Sequence, residues 1–222
     1  MKPDIAFLHT SPVHVPTFEK LMQEMAPGLR AAHVVREDLL ADAQREGADN
    51  AALGERIRKA MADTGAGGAP VVVCTCSTIG GVAESVQADA FSATRIDRAM
   101  ADRAVGSGKP ILLVAALEST LGPTKALLLS SADRQGVAPS IENLVVKDAW
   151  THFSSGDQAR YIESIVAAVA GADAASRTVV LAQASMAPAA PALAKLGITA
   201  LSSPRLGVEH AVALHAKARE VR

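Results

Sequence analysis

At 222 residues, with 49% hydrophobic residues, the chain is large enough for one large globular domain or two small ones, and its formal net charge of −1 favours neither a polyanion nor an anionic membrane surface as partner. Aromatic residues make up only 3%, and no basic cluster is interleaved with them, so the signature of a nucleic-acid groove is missing. No apolar run approaches the ~20 residues needed to span a bilayer, and the opening "MKPDIAFLHTSPVH" has no signal-peptide core, so the expectation is a cytoplasmic chain without a membrane partner.

Residues 5–8 read as a short buried strand that ends in the polar loop "HTSPVHVPT", which carries Thr10 and Ser11. Phe18, Leu21, Met22 and Met25 recur at helical spacing and predict a helix over 17–25, before Pro27 and Gly28. A strand is expected at 32–35. A helix over 51–64 follows, with Leu53, Ile57, Ala60 and Met61 inward, closed by a "GAGG" turn. Residues 71–81, "VVVCTCSTIGG", form the pivot: three β-branched residues predict a strand buried on both faces, and the chain then turns abruptly to thiols, hydroxyls and glycines. Such a strand end delivers side chains into the crevice where open α/β sheets bind ligands. Further helices are expected over 82–90, from 97 or 98 to 106, over 122–131 and over 157–170, with a helical tail from 207; further strands are expected at 111–115, within 142–150 and at 179–181. The alternation of strands and helices predicts parallel, doubly wound α/β sheets.

Cys74 and Cys76 are the only cysteines. A C-x-C pair is a poor structural staple, and no H-x3-H or second C-x2-C motif supplies the other half of a zinc site, so no metal is expected. Cys74 lies one step deeper on the same side of the strand and reads as a small buried hydrophobe. Cys76 is the candidate reactive thiol.

The second half repeats the first. Residues 111–115 followed by "ALESTLGPT" mirror 5–8 followed by "HTSPVHVPT", and 179–181 followed by "AQASMA" mirror the cysteine strand. Pro16 and Pro123, Thr17 and Thr124, Cys76 and Gln183, and Thr78 and Ser185 are each 107 residues apart. The reading is two pseudo-symmetric three-layer α/β halves: 1–95 with the C-terminal helix 207–222, and 96–206. Strand ends from both halves would line a cleft between them.

On these residues the chain resembles the cofactor-independent aspartate/glutamate/hydantoin racemase superfamily, which includes arylmalonate decarboxylase and maleate isomerase. Its members have two pseudo-symmetric α/β halves, each offering a cysteine at the cleft in motifs like C-N-T and C-T-G. "CST" (Cys76, Ser77, Thr78) resembles the first, and "QAS" (Gln183, Ala184, Ser185) stands at the second. The loop with Thr10 and Ser11 resembles the family's substrate-binding loop, "STLGPT" with Thr120 its counterpart, and "RIDRAM" the segment between halves. The resemblance implies an active site in the cleft, no cofactor, a small-molecule carboxylate as substrate, and a possible homo-oligomer.

Removing a proton beside a carboxylate produces an enediolate-like dianion, so a site needs a base and a cradle of donors. Cys76 would be the acid/base, its thiolate favoured by backbone N–H groups at the start of the following helix. Thr10, Ser11, Ser77, Thr78, Thr120 and Ser185 would hold the carboxylate, with Ala184 beside them, and Gln183 would orient the substrate. The plainer readings make Ser77 and Thr78 helix caps, Thr10 and Ser11 turn residues, and His9 and His152 structural or solvated. Racemisation by two bases needs a proton-transferring group on each face, and glutamine cannot transfer a proton near neutral pH. The expectation is therefore an isomerase- or lyase-type enzyme with one thiol. An arylmalonate-type decarboxylase and a non-catalytic carboxylate-binding protein remain as alternatives, and redox use of the two cysteines ranks last.

Overall fold

The computed structural model describes residues 2–220. The chain forms two compact units, Met1–Asp97 with Pro204–Arg222, and Arg98–Ser203, so the division falls at 97/98 and 203/204 rather than 95/96 and 206/207.

Unit 1 contains, in chain order, β1 (Ile5–His9), α1 (Val15–Met25), β2 (Ala31–Val35), α2 (Glu37–Glu46), α3 (Ala51–Gly65), β3 (Val71–Cys74), α4 (Gly80–Glu84) and β4 (Ser92–Arg95). The four strands are parallel in the order β2-β1-β3-β4, with Ile5 opposite Val71 and Leu8 opposite Cys74. β1 and β3 are buried along their whole length, as central parallel strands covered on both faces must be. Strand alternation splits their side chains between two cores. Ala6, Leu8, Val72 and Cys74 pack with Leu39 of α2 and Leu53, Ile57 and Met61 of α3. Ile5, Phe7, Val71 and Val73 pack with Phe18 and Met22 of α1 and with Val208 and Ala211 of the C-terminal helix. Each large apolar side chain so buried contributes about 1.5–3 kcal/mol. Asn50 starts α3 by accepting a hydrogen bond from the Leu53 N–H at 3.0 Å.

Unit 2 contains α5 (Arg98–Gly106), β5 (Ile111–Ala115), α6 (Leu121–Gln135), β6 (Ile141–Val145), α7 (Ala149–Ser154), α8 (Gln158–Ala170), β7 (Thr178–Leu181), α9 (Ala190–Lys195) and β8 (Ala200–Ser202). Its sheet has the order β6-β5-β7-β8, again all parallel, with Ile111 opposite Thr178 and Val114 opposite Leu181. Leu112, Val114, Val179 and Leu181 pack with Tyr161, Ile165 and Val169 of α8 and Leu193 of α9, while α5 and α6 pack on each other and against β7 and β5. α10 (Ser203–Glu220) then ends the described chain. Its Gly207 lies so close to the Ile96 carbonyl that no Cβ would fit between them.

The identical strand order makes the sheets the repeat that the sequence suggests, with one correction. Equal register places Ile5 opposite Ile111 in the repeat, an offset of 106, whereas β3 and β7 are offset by 107. Pro16 is accordingly the second residue of α1 and Pro123 the third of α6, so they are one position out of step. Cys76 and Gln183 do correspond, each two residues beyond its strand. The predicted 82–90 helix is only Gly80–Glu84, and β4 follows it. β4 and β8 have no apolar run to announce them, being outer strands held by pairing to β3 and β7. α2 also escapes detection, since it buries only Leu39, Asp42 and Ala43.

Candidate active site

In unit 1 the loops leaving the adjacent strands β1 and β3 bring Thr10, Ser11, Cys76, Ser77 and Thr78 to one end of the sheet. Cys74 is fully buried, and burial pushes its thiol well above the ordinary range; its Sγ donates to the Cys76 carbonyl at 3.6 Å. Cys76 sits at the rim of the same core, partly exposed, and both thiols are free. Thr10, Ser77 and Thr78 are buried, while Ser11 is half-buried.

The helix after the thiol differs from expectation. α4 is a single short turn whose N-cap is Ile79, so Ser77 and Thr78 do not cap it, and three residues separate Cys76 from its first residue. The helix expected to follow the thiol thus begins only after Ser77, Thr78 and Ile79. The loop is instead held by a buried ion pair. Arg95 donates from Nε to Asp97 Oδ1 at 2.6 Å and from Nη2 to Asp97 Oδ2 at 2.9 Å, and its Nη2 also donates to the Ser77 carbonyl at 3.0 Å. Both side chains are at most 3% exposed. Gly80 lies against this guanidinium: a Cβ there would stand 2.9 Å from Arg95 Cζ. The glycine is needed for that close approach, and the arginine fixes the backbone that carries Cys76.

Beneath the same loops runs a buried histidine chain. Thr75 Oγ1 lies 2.9 Å from His9 Nδ1, and His9 Nε2 lies 2.9 Å from His33 Nδ1. Thr75 Oγ1 also reaches the Leu8 carbonyl at 3.3 Å, and His33 Nε2 is buried without a partner. When the Thr75 hydroxyl donates to Leu8, His9 donates from Nδ1 and accepts at Nε2 from His33, which keeps both rings neutral. Burial, then the charges of His33 and His14, lower the His9 pKa from 6.5 to about 3; burial also lowers those of His14 and His33, Glu19 opposing it at His33. His9 is thus a structural histidine stacked among Phe7, Phe18 and His33. His152 lies in α7, after the outer strand β6.

In unit 2 the equivalent loops bring Thr120, Gln183, Ala184 and Ser185 to the end of β5 and β7. Gln183 Oε1 accepts from the Ala116 backbone N–H at 2.9 Å, while its Nε2 is buried and unpartnered. Thr120 is the buried N-cap residue of α6 and makes no side-chain cap bond. Ser185 is engaged from below by the Tyr161 hydroxyl at 2.8 Å. Burial raises the Tyr161 pKa to about 12, the Ser185 bond opposing it. Ser119 Oγ and Thr124 Oγ1 are further buried hydroxyls without partners.

Arg95, Asp97, Thr75, His14, His33, Tyr161, Ser119 and Thr124 were not among the site residues read from the sequence. The signal for Thr75, His9 and His33 is phase: each continues a face begun by apolar residues, a polar side chain where alternation predicts core. Arg95 and Asp97 stand in "RIDRAM", and only the fold brings them under Ser77.

Cavities of ≈ 370 Å³, beside Pro70, Phe91 and Lys217, and ≈ 360 Å³, beside Lys109, Pro110 and Pro139, lie at the amino ends of the strands, opposite the thiol and the amide. Among the described residues no group of three or more His, Cys, Asp or Glu is placed to hold a metal, and no helix is long and apolar enough to cross a membrane.

No protein-family model and no curated protein matches the sequence. Solved structures do match the fold along nearly the whole chain. Aspartate racemase of Picrophilus torridus is 15% identical, the match covering 99% of this chain and 95% of that one with a TM-score of 0.69. A glycine-to-cysteine variant of arylmalonate decarboxylase, in a sulfate-associated form, is 19% identical, with 96% and 94% covered and a TM-score of 0.62. Allantoin racemase of Klebsiella pneumoniae is also 19% identical, with 96% and 87% covered and a TM-score of 0.59. With two parallel sheets of the same strand order, the chain has the fold of the aspartate/glutamate racemase superfamily.

Proposed function

We propose that the protein is a cofactor-independent isomerase- or lyase-type enzyme acting at the carbon next to the carboxylate of a small organic acid, with Cys76 as its acid/base. The observation that carries this reading is the correspondence of Cys76 and Gln183, each two residues beyond the central strand of its sheet, in a fold shared with racemases and a decarboxylase. A thiol transfers protons near neutral pH; a carboxamide does not. Chemistry that protonates a carbanion on one face suits one thiol, and decarboxylation is the simplest case. The bond to the departing carboxylate breaks, carbon dioxide leaves, the electron pair remains as an enediolate, and the Cys76 proton passes to carbon; water then restores the thiol. Ser77, Thr78, Thr10, Ser11 and Thr120 are assigned to hold the remaining carboxylate, whose oxygens gain charge as the enediolate forms. Ser185, already joined to Tyr161, completes the set.

The test is a panel of amino, hydroxy and dicarboxylic acids in heavy water, with loss of the α-proton and release of carbon dioxide followed by NMR. Cys76→Ala is expected to lower turnover by about 10²–10⁴-fold. Turnover that survives this change would remove Cys76 from the chemistry.

A further inference from the structure

Gln183 is 9% exposed, and only the oxygen end of its amide has a partner within the protein. The Ala116 N–H can only donate, so the group 2.9 Å from it must be the amide oxygen, and the orientation is settled. Nε2 therefore presents its hydrogens, buried and unpartnered, so the unsatisfied end of this amide is its donor end. The loop and first helical turn after β5, the strand that leads into Ala116, carry two more unpartnered buried hydroxyls, Ser119 Oγ and Thr124 Oγ1. A buried donor without a partner is costly to the fold, and a ligand oxygen would complete it. An α-ammonium group needs the reverse, an acceptor and best of all a carboxylate. Among the described residues that follow β1, β3, β5 and β7 (10–14, 75–79, 116–120 and 182–189), the sole carboxylate is Glu118, which is exposed.

We infer that Gln183 is a specificity-determining residue: it donates to the oxygen of a second carboxylate or carbonyl group on the reacting carbon, and so selects acids without an α-ammonium group over α-amino acids. This rests on the function proposed above and specifies the substrate class of that site.

Two matched pairs test it, since each differs only in one substituent of the reacting carbon: 2-methylmalonate against alanine, and 2-phenylmalonate against phenylglycine. Turnover and α-proton exchange are measured for the wild type, Cys76→Ala and Gln183→Glu. The glutamate keeps an oxygen for Ala116 but replaces the donor by an acceptor. In the wild type the malonates are expected to exceed the amino acids in kcat/KM by at least about a hundredfold, and Gln183→Glu to shrink that ratio by at least about tenfold, with an unchanged melting profile. Should Gln183→Glu fail to fold, Gln183→Met, which has neither donor nor charge, must lower kcat/KM for the malonates by at least about tenfold. Cys76-dependent turnover that favours the amino acids would overturn the selection while leaving the proposed chemistry standing, as would a ratio indifferent to Gln183. If neither class turns over, calorimetry decides. Malonate binding weakened by Gln183→Glu upholds the selection and removes the catalytic reading, and absence of binding overturns both.

Discussion

The two units share strand order, parallel pairing and the position of the side chain two residues beyond the central strand, yet they end those strands in different chemistry. Unit 1 offers a partly exposed thiol over a chain of neutral histidines, on a loop pinned by the Arg95–Asp97 pair. Unit 2 offers a carboxamide tied by its oxygen to Ala116 and a serine tied to Tyr161. The residue that pairs with the last position of the central strand is Arg95 in unit 1 and Ser202 in unit 2. A repeated backbone thus constrains where a side chain stands and leaves open what it does. On the function proposed above, the proton-transferring group belongs to one unit and the carboxamide donor to the other.

Three tests probe this contrast. The largest effect is expected from supplying the missing thiol. Gln183→Cys gives both strand ends a titratable group, and the racemisation of a single-enantiomer acid should rise by at least about 10²-fold over the wild type, read by chiral chromatography. No rise would mean that the two positions, equivalent in the fold, are not equivalent toward substrate.

Next is the support of the thiol loop by Arg95, in whose place unit 2 has Ser202. Arg95→Leu leaves Asp97 buried without its partner and releases the Ser77 carbonyl. A loss of about 3–5 kcal/mol is expected in urea unfolding, against about 1–3 kcal/mol for Gly80→Ala, which crowds the same guanidinium. Equal losses would place the cost of both changes in the backbone.

The smallest effect concerns pH. The His9 pKa is lowered in the folded state to about 3, so between 6.5 and about 3 the unfolded chain binds the proton that the folded chain refuses. Stability contributed by neutral His9 is complete above pH 6.5 and is lost as pH falls through that window, by about 1–3 kcal/mol at pH 5. Unfolding at pH 7.5 and pH 5.0 measures this, and His9→Gln should flatten the difference. An unchanged slope would assign the acid sensitivity to other groups.

Much of the fold was legible because central parallel strands are apolar along their length and stop abruptly: residues 71–74 and 111–115 could hardly be read otherwise. The outer strands β4 and β8 were not, since a half-covered strand such as "SATR" or "ALS" carries no pattern of its own and exists by pairing with its neighbour. Cys76 was legible as the thiol at a strand end. The helix expected over 82–90 was legible only in part: it starts at Gly80, which serves the approach of Arg95, and it ends at Glu84.

By itself the sequence determined the parallel α/β class, the two halves and the pairing of position 76 with position 183, since all three depend on apolar runs, turn residues and a repeat, which are local properties of the chain. Only the tertiary structure decided what holds the thiol loop, which histidines meet and which end of the Gln183 amide remains to be satisfied. These depend on groups far apart in sequence, such as Ala116 and Gln183, that come within hydrogen-bond distance only when β5 and β7 lie side by side.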